Sequence, residues 1–198
     1  TARRKDLAAL VITHAHQDHL GAVADLWRKL RCPVYATPFA AAMLEGPLAE
    51  AGLAGKVPIR VIQGDERFGV GPFAMRRIPM THSTVEMGAL LIETAAGRVL
   101  HTGDFKLDPD PVVGPVSDEA FLRTLEGVDL CVSDSTNADV PGWTPSEGSL
   151  REPLRAVLAS CKGRVAVPLF SSNVARIHTL AALADELDRD LVFVGRSV

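Results

Sequence analysis

Between positions 14 and 19 the chain reads His14-Ala15-His16-Gln17-Asp18-His19, three imidazoles and a carboxylate within six residues. Imidazole nitrogen and carboxylate oxygen are donors that Zn²⁺ accepts, and a coordination position left open makes such a site catalytic. The segment follows the apolar run Leu7-Ala8-Ala9-Leu10-Val11-Ile12, which reads as a strand. In extended chain His14 and His16 face one side. Asp18 and His19 then fall where the chain turns into the next helix, aimed at the same centre from elsewhere. A polar loop that happens to carry histidines is the plainer alternative, but ligands at this density point to a two-metal site.

One loop rarely completes such a site, so further donors are expected at other strand ends. His82 follows Ile78-Pro79-Met80-Thr81, and Asp104 follows Leu100-His101-Thr102-Gly103. Taken alone, His82 reads as a hydrogen-bonded structural residue and Gly103-Asp104 as an ordinary turn. Beside the 14–19 segment both become ligands. The economical assignment gives His14, His16 and His82 to one metal and Asp18, His19 and Asp104 to the other, with Asp104 able to bridge. His101 reads as supporting or packed in the core, and His178 as a surface or satisfied helix residue. Two metal ions about 3.5–4 Å apart can clamp a reacting group between them and make a nucleophile available near neutral pH. Asp18 is the residue expected to orient that nucleophile or accept its proton.

The elements that must position these groups alternate between strand and helix, which argues for α/β layers. Leu20, Val23, Leu26, Trp27 and Leu30 recur at helical spacing. Residues 32–36 read as a short strand, and 38–53 as one or two helices broken near Gly46-Pro47. Strands are expected at 59–62, 73–78, 89–93, 98–101 and 128–132, with 64–69 a turn-rich stretch. Residues 137–145 look like a linker. Ser146 or Thr144 then caps a helix with Glu147 nearby, followed by a strand at 164–170, a helix at 173–187 and a strand at 191–194. Pro168 is unexpected inside a buried strand, because it cannot donate to the ladder. This last β-α-β unit reads as the start of a second domain, so the expected division is 1–143 and 144–198.

Composition is that of a globular protein, with 47% hydrophobic and 23% charged residues among 198. A net charge of −3 and a pI of about 6.0 exclude a global basic footprint for coating nucleic acid, though not an enzyme that grips phosphates locally. No apolar run approaches the roughly 20 residues that span a bilayer, and no signal peptide is visible. Cys32, Cys131 and Cys161 lack C-x-x-C spacing and read as buried, reduced thiols in a cytoplasmic protein. The chain is expected to be a piece of a longer protein, weak or inactive by itself. The turn Ser171-Ser172-Asn173 lies between a strand and a helix, where hydroxyls and free N–H groups make an anion site suited to a phosphate. Plain N-capping would look the same. Arg176 either adds charge there or lies on a solvated face.

H-A-H-Q-D-H, a distant His, then T-G-D resembles the metallo-β-lactamase superfamily. The resemblance implies an αββα sandwich with metals at the sheet edges. Flavin-linked di-iron members put a carboxylate where His16 stands, so His16 favours zinc. Pro79-Met80-Thr81-His82-Ser83, His101-Thr102-Gly103-Asp104-Phe105-Lys106-Leu107-Asp108, Ser133-Asp134-Ser135-Thr136-Asn137-Ala138, Thr144-Pro145-Ser146-Glu147, Phe170-Ser171-Ser172-Asn173-Val174-Ala175-Arg176-Ile177 and Val194-Gly195-Arg196-Ser197 narrow it to the ribonuclease J family, the bacterial β-CASP branch. The resemblance implies two Zn²⁺ per complete site and single-stranded, 5′-monophosphorylated RNA as substrate. It implies 5′-to-3′ exonuclease and endonuclease activity, with Asp18, Asp104 and Asp134 as catalytic carboxylates. Asp134 fits the acidic position that marks the β-CASP group. A homo-oligomer is an arrangement open to the longer protein. The family's further His ligand and remaining β-CASP motifs have no counterpart before Val198. The rival readings are another hydrolase of this fold, a thioester hydrolase or a transfer-RNA 3′-end nuclease, and an inactive β-CASP scaffold subunit. Asp134 and the 170–173 turn argue against the first, and the six intact ligands against the second.

Overall fold

The computed structural model describes residues 3–195. Two sheets form its centre. The first is parallel, in the order β1 (Leu10–Val11), β2 (Val34–Ala36), β3 (Ile59–Val61). The second runs β4 (Arg67–Val70), β5 (Phe73–Pro79), β6 (Gly88–Thr94), β7 (Gly97–His101), β8 (Leu130–Val132), antiparallel except for the parallel β7–β8 pair. Ile62, Phe68, Val70 and Leu90, packed with Val11, Tyr35, Met75 and Ile92, bring side chains of both sheets into one layer.

Helices cover the outer faces. After the single turn α1 (Gln17–Leu20) come α2 (Val23–Leu30) and α3 (Pro38–Glu50), whose Val23, Ala24, Ala40, Leu44 and Leu48 share a core with Ile12, Val34 and Ala36. On the opposite side α4 (Glu119–Arg123) brings Phe121 and Leu122 against Ile78, Ala89 and Leu91. The order helix, sheet, sheet, helix is the expected αββα sandwich. Beyond it, α5 (Arg151–Ser160) and α6 (Val174–Glu186) pack through Leu158, Leu180 and Leu183.

Several local expectations are corrected. The helix from Pro38 is not broken at Gly46-Pro47; it runs through Pro47 to Glu50. An interior proline costs about 3 kcal/mol, but Leu44 and Leu48, one turn apart, are both buried, and each contributes about 1.5–3 kcal/mol. Packing outweighs the lost hydrogen bond. Residues 67–69, read as part of a turn-rich stretch, belong to β4, whose alternation buries Phe68 and Val70 and exposes Arg67 and Gly69. The helix α4, capped by the Asp118 side chain on the Phe121 N–H, was not anticipated.

The strands expected at 164–170 and 191–194 have no ladder; both stretches lack regular structure and leave Val167, Phe170, Val192 and Val194 exposed. A strand exists through its partner's hydrogen bonds, and among the described residues none is supplied. Pro168 therefore interrupts no sheet. Of the three thiols only Cys32 is buried; Cys131 is exposed on the edge strand β8, and Cys161 is half-buried. Arg196 and Ser197 lie outside the described residues. Among those described, no helix is long and apolar enough to cross a membrane.

Candidate metal centre

The site gathers at strand ends. The Ile12 N–H donates to the Tyr35 carbonyl at 2.8 Å, which keeps the chain extended past β1 and delivers His14 fully buried at the sheet edge. His14 Nδ1 lies 3.0 Å from Thr13 Oγ1, leaving Nε2 to face His16 Nδ1 at 3.1 Å. His16 occupies the N-cap position of α1, and that single turn presents Asp18 and His19. From the second sheet comes His82, its Nε2 also 3.1 Å from His16 Nδ1. The loop carrying it is pinned by Thr81, whose N–H donates to Ser117 Oγ at 2.7 Å.

Asp104 follows β7. The Gly103 N–H donates to His101 Nδ1 at 3.0 Å, so His101 shapes the turn rather than joining the ligands. Gly103 has φ +59, and a Cβ there would stand 2.3 Å from the Met87 methyl. Its left-handed conformation favours glycine, and a Cβ would also make the Met87 methyl shift. The turn sets Asp104 Oδ2 3.2 Å from His19 Nε2 and 3.9 Å from His14 Nε2, while Asp18 Oδ2 is 3.5 Å from His19 Nε2.

Two groups result: His14, His16, His82 and Asp104, and Asp18, His19 and Asp104. Together they bring into proximity the six residues read from the sequence, with Asp104 common to both groups. Burial pushes the His14 imidazole down to about 2, with His19, His16 and His82 adding repulsion to its charged form. Burial likewise lowers His16, against the pull of Asp18 and Asp104, and lowers His82. Neutral imidazoles have a lone pair to offer, and these converge without cationic partners. Tetrahedral ligands 2.0–2.1 Å from one ion stand about 3.3 Å apart, close to the 3.1 Å separations found here. The donor set and its spacing fit a bound transition-metal ion.

The remaining expected residues lie near but outside these groups. Asp134 accepts from the Thr136 N–H at 2.9 Å, from Thr136 Oγ1 at 2.7 Å and from the Phe105 N–H at 3.5 Å. Chiefly the Thr136 amide, and also nearby His82, hold its carboxyl below the usual range. Asn173 caps α6, its side chain accepting from the Arg176 N–H at 3.0 Å, so capping is its role in the fold. The same turn comes near the metal groups: the Ser172 backbone is among the influences that favour the charged form of His16. Arg176 does not face this turn with a free charge: its guanidinium grips Glu147. His178 is exposed on α6.

Sequence reasoning gave no role to Asp108 or Ser83. Asp108 is buried, and burial opposes its charge, yet Ser146, the Glu147 and Asp110 amides and Lys106 outweigh it and bring the carboxyl down to about 2. Ser83 Oγ is 3.4 Å from His16 Nε2. Its place directly after His82, within the Pro79–Ser83 motif, was the available signal.

A cluster of histidines and aspartates at the edges of an αββα sandwich defines a class, and the comparisons agree. The Beta-lactamase superfamily domain matches residues 1–169, and the chain belongs to that superfamily. A crystal structure of a protein of unknown function from Enterococcus faecalis V583 shares the fold, with a TM-score of 0.63 and 18% identity over 89% of this chain and 44% of that one. Within the superfamily the chain is similar to ribonuclease J. The protein of that name from Sinorhizobium meliloti is 43% identical over 198 residues, 99% of this chain and 35% of the relative. Ribonuclease J from Thermus thermophilus is 37% identical over 204 residues, 98% of this chain and 36% of the relative. The chain thus spans about a third of the length of these curated relatives.

Proposed function

We propose that this chain carries the metal centre of a ribonuclease J-type enzyme, which hydrolyses RNA phosphodiester bonds as a 5′-to-3′ exonuclease and as an endonuclease. The observation that carries this reading is the meeting of two donor groups at one carboxylate, Asp104. His14, His16 and His82 would hold one Zn²⁺ and Asp18 and His19 the other, with Asp104 between them. Bound there, such ions supply positive charge to the phosphate oxygens and bring the pKa of water toward neutrality.

The chain's own residues do the positioning. Thr13 fixes the His14 ring, and His101 and Gly103 aim Asp104. Asp18, with its side chain 77% exposed, would orient attacking water or accept its proton at the carboxylate oxygen not engaged by the metal. Asp134 holds the Asp104 loop through the Phe105 N–H and sets a negative charge beside His82. Ser171 and Ser172 receive an RNA phosphate at the positive end of α6, next to His16. Residues 1–143 form the metallo-β-lactamase domain and 144–198 the start of a β-CASP domain, in a cytoplasmic protein whose longer form is open to homo-oligomer assembly. Its substrate is single-stranded RNA with a 5′-monophosphate.

The test is metal content per chain together with cleavage of a 5′-monophosphorylated single-stranded RNA, in a chain extended to the length of its ribonuclease J relatives. About two zinc ions per chain are expected, with cleavage reduced at least 10³-fold by His14→Ala and by Asp104→Ala, equivalent to about 4 kcal/mol of lost transition-state stabilisation. Zinc without RNA cleavage but with thioester turnover would assign the site to another hydrolase of this fold.

A further inference from the structure

Arg176 and Glu147 are 29 residues apart in sequence and meet in a two-point ion pair, Nε to Oε1 at 2.6 Å and Nη2 to Oε2 at 3.2 Å. Each partner reaches the metal centre by its own route. The Glu147 N–H donates to Asp108 Oδ2 at 2.8 Å. Asp108 also accepts from the Asp110 N–H at 2.9 Å and pairs with Lys106 Nζ at 3.1 Å. Asp108 closes the loop that opens at Asp104, and within that loop the Lys106 N–H donates to the Thr81 carbonyl at 2.8 Å, beside His82. On the other side, Arg176 sits in the first turn of α6, where the Ala175 N–H reaches the Ser83 carbonyl at 3.5 Å. Ser83 Oγ in turn lies 3.4 Å from His16 Nε2. The ion pair closes a ring of contacts from Asp104 round to His16 that passes through neither sheet.

We propose that Glu147 and Arg176 are positioning residues for the metal centre: their ion pair clamps the first turn of α6 onto Ser83 and His16 while holding the Asp104–Asp108 loop across from it. The inference rests on the metal-centre reading above. It moves Arg176 from contacting phosphate to setting the frame in which ligands and phosphate turn meet. A guanidinium suits this task because its planar fork makes two parallel bonds to one carboxylate, which a lysine ammonium cannot. The pair is half-buried, where a charge-assisted bond is screened less than at the surface.

Groups that orient metal ligands from behind typically change metal affinity 10–100-fold when lost. Two readouts on the metal-free chain test the proposal: Co²⁺ binding followed by visible absorption, and exchange of the Ala175 amide proton followed by NMR. Arg176→Lys and Glu147→Gln should each weaken Co²⁺ binding about tenfold and speed Ala175 exchange, while β6 amides stay protected. The reciprocal variant Glu147→Arg with Arg176→Glu should restore both toward native values. Native Co²⁺ affinity and native Ala175 exchange in both single variants would overturn the proposal, as would a reciprocal variant that restores neither while β6 stays protected. Should the native chain take up no Co²⁺, the metal-centre reading falls, and Ala175 exchange still decides the positioning role.

Discussion

Three imidazoles share a partly buried space, one of them fully enclosed, and this sets their charge. His14 is fully buried, and burial is the first cause of the lowered pKa of His14, His16 and His82. Folding takes each below its ordinary value near 6.5, so under that pH the unfolded chain binds more protons than the folded one. Stability then rises with pH, and the metal-free protein should weaken as pH falls from 7 to 5. The window lies above the carboxylate range, so the histidines dominate it. A lower urea midpoint at pH 5 is expected, with the difference narrowed in His14→Phe; equal midpoints at the two pH values would contradict the electrostatics. A metal bound to the neutral rings should deepen the same dependence, because protons and the ion compete for one lone pair.

At the scale of elements, position is set by where strands stop. β1, β5 and β7 each end three residues before a candidate ligand, His14, His82 and Asp104, and the loops that follow are short or pinned. Helix α3 shows the opposite balance, an unfavourable residue carried by packing. Replacing Pro47 with Ala returns an N–H to the ladder and removes the ring's clash with the preceding turn. The variant should gain about 1–3 kcal/mol, raising the melting temperature by roughly 2–4 °C for each kcal/mol in a chain of this size. A lower melting temperature in calorimetry would mean that the proline shapes a bend the core depends on. Much of this was legible beforehand: apolar runs located β1, β2, β3, β5, β6, β7 and β8. β4 was obscured by Gly64 and Gly69, which read as turn although Phe68 and Val70 already alternated.

For the whole molecule, cohesion is uneven. The sandwich has three buried clusters spread over both sheets and their helices, whereas α5 and α6 share a small one of Leu158, Leu180 and Leu183. Residues 164–170 and 191–194 are extended without ladder partners and leave most of their apolar side chains exposed. Opening free energies should therefore differ across the chain. Amide exchange should be slow in β5 and β6 and fast at Val165, Val167 and Val192–Val194. Protection of those segments equal to that of β6 would show that they have found a sheet to join.

The sequence alone determined which donor types the chain offers, because donor chemistry is a matter of residue type and the 14–19 segment concentrates three imidazoles and a carboxylate. It also determined the layer type, since hydrophobic periodicity is local and each strand or helix prints its own. Tertiary structure decided what depends on residues distant in the chain. That Asp104 stands between two groups follows from the parallel pairing of β7 with β8 and the αL turn at Gly103. That Arg176 serves Glu147 rather than a phosphate follows from the return of α6 across the Asp108 loop. The 164–170 and 191–194 segments make the same point from the other side. Their composition is that of strands, but a ladder needs a second chain segment, and no local pattern can supply one.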